Sequence, residues 1–238
     1  MNLDFLTSNL IAHRGVHNNI DIPENSIEAF KKAIKNNYII ELDVHLIKDN
    51  TIVVFHDDNL KRMTNIDKNI KDLDYLELKK LKLLNTKYNI PTLDEVLKLV
   101  DGKVPLIIEL KYDRKVGLLE NELVKLLDNY KGLFCIKSFN PFIVRWFMKH
   151  RKNYIRGLLI PYKYNNLKEY IIRKMYLINI CKPHFLSCNY KLYNDKKVLK
   201  YHKKIPVLFW TIKNNTNYLK YKNKCDNVIC ENIDSFKM

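Results

Sequence analysis

The chain has little glycine, five residues in 238, and only seven prolines and two tryptophans. None of the glycine-dependent signatures occurs: no P-loop, no G-x-G-x-x-G and no G-x-S-x-G. Their absence argues against nucleotide-cradling loops and against a serine nucleophile on a tight elbow. No apolar run reaches the roughly 18 residues that cross a bilayer, so no stable membrane insertion is expected. Residues 1–10 lack a basic stretch followed by an apolar one, the mark of a secretory signal. The five cysteines are odd in number and form no C-x-x-C pair. That argues against disulfides and a structural zinc site, and a cytoplasmic location is expected. No repeat or low-complexity linker divides the chain, so residues 1–238 read as a single domain.

What is present is charge and a sizeable core. Apolar residues make up 47% of the chain, and the net charge is +16. Such a charge invites a nucleic-acid reading. The basic residues, however, are dispersed lysines that read as solvated helix faces, and no nucleic-acid partner is expected. A positive field still attracts anionic substrates.

Short apolar runs alternate with amphipathic stretches. Strands are expected at 9–13, 39–46, 52–56, 105–111, 133–138, 155–160, 184–188, 207–211 and 227–230, with helical spacing between most of them. Ser26 and Thr92 are expected helix N-caps. Strand–helix alternation of this length implies an α/β fold with a mainly parallel sheet, and about eight units suggest a TIM-type (β/α)8 barrel. Residues 57–90 break the alternation and read as a small insertion after the second or third strand.

Side chains at i and i+2 share one face of a strand. In IIELDVHL, Glu41, Asp43 and His45 therefore point the same way, as do Glu109 and Lys111 in LIIELK. Charged groups inside apolar strands are costly unless paired or bound to metal. Two accounts stand side by side. One is a divalent metal held by Glu41, Asp43 and Glu109, where hard oxygen ligands favour Mg²⁺ or Ca²⁺. The other is a buried ion network with Arg14 or Lys111. His13 and His56 each fall where an apolar run stops, which suits a general acid/base pair. Arg14 and Lys111 suit a phosphate oxyanion. His17, His150, His184 and His202 read as surface or packing residues.

These residues sit in an ordered set: H-R-G at 13–15, P-E-N-S at 23–26, E-L-D-V at 41–44, V-V-F-H-D at 53–57, L-K-R-M-T at 60–64, I-P-T-L-D-E-V-L at 90–97, I-E-L-K at 108–111, S-F at 138–139 and W-T-I at 210–212. The set resembles the glycerophosphodiester phosphodiesterase family over most of the chain. The resemblance implies metal-dependent hydrolysis of a small-molecule glycerophosphodiester to sn-glycerol 3-phosphate and an alcohol. It implies a metal at Glu41, Asp43 and Glu109, His13 and His56 as the acid/base pair, Arg14 and Lys111 on the phosphate, and Trp210 against the glycerol end. One departure lies at 225–232, where C-D-N-V-I-C-E-N replaces the family's glycine-led turn and threonine–aspartate ending. A lysophospholipase D-like relative is the alternative, and it should carry an apolar mouth drawn from 57–90. An inactive barrel that binds anions or nucleic acid is the other alternative. The oligomeric state is left open.

Overall fold

The computed structural model describes residues 2–112 and 115–236. Among the described residues nine strands form: β1 (Ile11–His13), β2 (Ile39–Leu46), β3 (Ile52–Val54), β4 (Leu106–Leu110), β5 (Phe134–Ser138), β6 (Ile155–Ile160), β7 (Phe185–Asn189), β8 (Val207–Ile212) and β9 (Asn227–Cys230). Eight of them pair in parallel in the order β1-β2-β4-β5-β6-β7-β8-β9, and β9 returns to β1. The sheet closes on itself with helices between its strands, which is a TIM-type (β/α)8 barrel.

One strand departs from the expected alternation. β3 runs antiparallel to β2, with Val44 opposite Val54 and Leu46 opposite Ile52. The reason is chain length. Only residues 47–51 separate the two strands, and a parallel return needs a crossover of about a dozen residues or more. β3 is therefore a hairpin arm outside the ring, and it delivers Phe55 and His56 to the barrel mouth. The segment beyond it packs on a core of its own, which includes Val53, Phe55, Leu60, Met63, Ile70 and Leu78. Among the described residues, no helix is long and apolar enough to cross a membrane.

Local signals set the first βα unit. Ser26 caps helix α1 (Ile27–Lys35) by accepting the Ala29 N–H at 3.2 Å, and Ala29, Phe30 and Ala33 turn inward. Gly15 has φ +78°, and a Cβ there would stand 2.8 Å from the Ala29 carbonyl carbon. Only glycine lets the turn after His13 lie this close to α1.

The barrel interior follows one rule. Ile11, Ile39, Ile107, Cys135, Ile155, Phe185, Leu208 and Ile229, one from each barrel strand, join Phe5 and Leu6 in an apolar cluster at the end where the strands start. Two residues further along, the same faces carry His13, Glu41, Glu109, Lys137, Gly157, Ser187, Trp210 and Glu231. Strand alternation thus stacks a belt of chemistry on a belt of hydrocarbon. Gly157 is the exception that proves useful: a Cβ there would collide with the Phe185 ring.

His184, next to the start of β7, is a packing residue. Its Nδ1 accepts the Arg156 backbone N–H at 3.3 Å, which requires an unprotonated nitrogen. Burial and Arg156 lower its pKa from 6.5 to about 4. The unfolded chain takes up the proton first, so this contribution to stability is lost as pH falls from 6.5 toward 4. His184→Asn should flatten the fall of Tm across that window by about 5 °C, after allowance for partial solvation. Unchanged melting curves at pH 7 and pH 4.5 would refute this role.

Candidate active site

Glu41 and Asp43 on β2 and Glu109 on β4 meet because Asp43 and Glu109 are register partners and Glu41 sits two residues earlier. All three are buried, and one oxygen of each lies within 4.8 Å of the others. Three carboxylates this close repel one another, and cations answer them. Lys111 Nζ lies 2.7 Å from both Asp43 and Glu109. Lys137 Nζ lies 2.8 Å from Glu41 and 3.4 Å from Glu109. Arg14 Nε stands 3.3 Å from Asp43, and Asn25 donates to the same Asp43 oxygen at 3.0 Å. Burial pushes the Asp43 carboxyl up, but Lys111 and Arg14 hold it well below the usual carboxylate range. Burial likewise opposes Glu109, which Lys111 and Lys137 pull down. Burial would discharge Lys137, yet Glu41 and Glu109 raise its pKa above that of a free lysine.

The donor set suits a hard divalent cation. All the ligand atoms are carboxylate oxygens. Glu41 Oε1 and Asp43 Oδ1 are buried and accept no aligned hydrogen bond, although an ammonium stands near each. A coordinated ion would compete with those ammoniums for the same oxygen lone pairs. Both accounts open in the sequence are therefore embodied here, since the ion network is real and its carboxylates could hold a metal.

The two histidines share one design. His13 Nδ1 stands 2.8 Å from Glu231 Oε1, and its Nε2 faces inward, 4.0 Å from Glu41. His56 Nδ1 stands 2.5 Å from Asp57. Asp57 accepts from Arg62 at 2.6 Å, Arg62 donates to Glu24 at 2.6 Å, and Glu24 accepts from Arg14 at 2.7 Å. The 57–90 segment thus ties into the first loop. Burial pushes the Glu24 carboxyl up, but Arg62 and Arg14 hold it far below the ordinary range. His45 is buried beneath His56 with Nε2 3.3 Å from the His56 carbonyl oxygen. Trp210 donates from Nε1 to the Ser187 carbonyl at 2.8 Å and meets Phe139 edge-on. Those two contacts fix its ring on the belt.

Sequence reasoning missed three partners: Lys137, Glu231 and the Asp57–Arg62 pair. Lys137 had a signal, a lysine inside FCIKS two residues after Cys135. Glu231 lies in the atypical ending, just past β9.

A family model described as the glycerophosphoryl diester phosphodiesterase family matches residues 13–235. A protein of Bacillus subtilis, provisionally named a glycerophosphodiester phosphodiesterase, is 44% identical over 130 residues, 51% of this chain and 52% of its own. A glycerophosphodiester phosphodiesterase of Caldanaerobacter subterraneus is 36% identical over 162 residues, 63% of this chain and 65% of its own. The match thus spans half to two thirds of the length of these relatives. In structure, the chain superposes on an Oleispira antarctica phosphodiesterase solved with the product sn-glycerol-3-phosphate, with a TM-score of 0.80, 24% identity, and 94% and 93% of the two chains covered. At that identity the likeness carries the fold.

Proposed function

This chain belongs to the glycerophosphoryl diester phosphodiesterase family, and from that premise we propose that it hydrolyses glycerophosphodiesters to sn-glycerol 3-phosphate and an alcohol. The observation that carries the proposal is the pairing of two carboxylate-bound imidazoles with a buried three-carboxylate cluster at one barrel mouth. Each imidazole has Nδ1 engaged, so Nε2 is the atom left for the substrate.

Glu41, Asp43 and Glu109 would hold a divalent cation, Mg²⁺ or Ca²⁺. When bound, such an ion neutralises phosphate charge that grows toward the transition state. Arg14 and Lys111 orient the phosphate from beside the carboxylates. One histidine takes a proton from the attacking hydroxyl of water or of the glycerol. The other gives a proton to the leaving alkoxide. Trp210 presents a fixed apolar face to the glycerol carbons.

The lipid-directed alternative would draw its apolar mouth from 57–90. In that segment only Ile66 and Leu76 are exposed large apolar side chains among the described residues. The test is release of glycerol 3-phosphate from glycerophosphocholine and glycerophosphoethanolamine, with lysophosphatidylcholine alongside. Release with Mg²⁺ or Ca²⁺ and its loss in chelator are expected. Release that persists undiminished in chelator would overturn the metal's part, and cleavage of the lysolipid alone would overturn the substrate class.

A further inference from the structure

We infer that Glu231 is a positioning residue that fixes the tautomer and aim of His13, and that Lys213 fixes the orientation of Glu231. The inference rests on the proposed acid/base role of His13. It begins in register. Ile11 pairs with Ile229 across β1 and β9, so His13 and Glu231, two residues on from each, share one face of neighbouring strands. The structure brings His13 Nδ1 to 2.8 Å from Glu231 Oε1 and Lys213 Nζ to 2.8 Å from Glu231 Oε2. The Glu231 backbone N–H donates to the Ile212 carbonyl at 2.8 Å, which holds the residue at the end of β9. Its side chain is only 16% exposed.

The chemistry then follows from donors and acceptors. An ionised carboxylate accepts only, so the nitrogen facing it must carry the proton. Burial opposes ionisation of Glu231, but His13 and Lys213 hold its pKa at about 2. A neutral His13 is therefore the Nδ1–H tautomer. Its lone pair is on Nε2, on the inward side toward Glu41. Lys213 adds a constraint of its own. An ammonium donates only, so a side chain at position 231 that keeps the Lys213 contact turns an acceptor toward it.

That constraint makes Glu231→Gln informative. An amide that keeps that contact gives its carbonyl oxygen to Lys213 and its NH₂ to His13. Nδ1 then becomes the acceptor, and the proton moves to Nε2, which removes the lone pair from the inward side. Removal of the ammonium in Glu231→Gln/Lys213→Met frees the amide to turn and accept from Nδ1 again. In Glu231→Gln, kcat should fall about 10²–10³-fold with KM within about threefold. In the double variant at least about tenfold of the lost kcat should return, which no merely structural role of Glu231 explains. Nitrogen-15 NMR of the histidine rings should show Nδ1–H for neutral His13 in the parent chain and Nε2–H in Glu231→Gln. Melting curves verify that the variants fold. An Nε2–H tautomer in the parent chain would overturn the inference, as would Glu231→Gln turnover within twofold of the parent. If the parent chain cleaves no glycerophosphodiester, the proposed function fails, and the NMR comparison still decides the tautomer.

Discussion

His13→Ala should lower kcat for glycerophosphodiester hydrolysis by about 10³-fold, within the range usual for loss of a general acid or base. KM should move little, because the proposed phosphate contacts, Arg14 and Lys111, come from other backbone positions. Stability should also hold. The His13 side chain is 12% exposed, and its loss leaves Glu231 still paired with Lys213 at 2.8 Å. No buried charge is orphaned, so Tm should stay within about 3 °C of the parent chain. The check is kcat and KM beside a melting curve. A folded His13→Ala enzyme that keeps a tenth of its turnover would remove His13 from the chemistry.

Glu41 should behave differently. The sequence offers Arg14 or Lys111 as its ion partner. The structure instead pairs Glu41, fully buried, with Lys137, whose side chain is only 2% exposed. Removal of one partner of a buried pair leaves the other charge without compensation, at a cost of about 3–5 kcal/mol. Glu109, 3.4 Å from Lys137, offsets part of that. Glu41→Ala should therefore abolish turnover and also lower Tm by about 10 °C. Glu41→Gln/Lys137→Met, which removes both charges at similar volume, should recover most of the Tm and none of the turnover. A single alanine variant that melts like the parent chain would refute the buried pair.

The fold was legible because hydrophobic alternation and strand spacing are local properties. The carboxylates were legible for the same reason, since Glu41, Asp43 and Glu109 stand out as charges inside apolar strands. Lys137 was hidden by composition, one lysine in a chain where Lys and Arg number 42. Glu231 was hidden by topology, since only closure of β9 onto β1 brings a residue near the end of the chain to His13. The antiparallel course of β3 was masked by its apolar content, which reads the same inside a barrel or on a hairpin. The short 47–51 connection was the available clue.

The belt of hydrocarbon below the active site has a consequence for traffic. Phe5, Leu6 and one side chain from each of eight strands close the barrel at that end. The candidate site is thus approached from the opposite end, where the strands finish. Under the proposed reaction the alcohol, the glycerol phosphate, the next substrate and water would all pass by that mouth. Turnover becomes a matter of taking turns, and a product still seated excludes its successor.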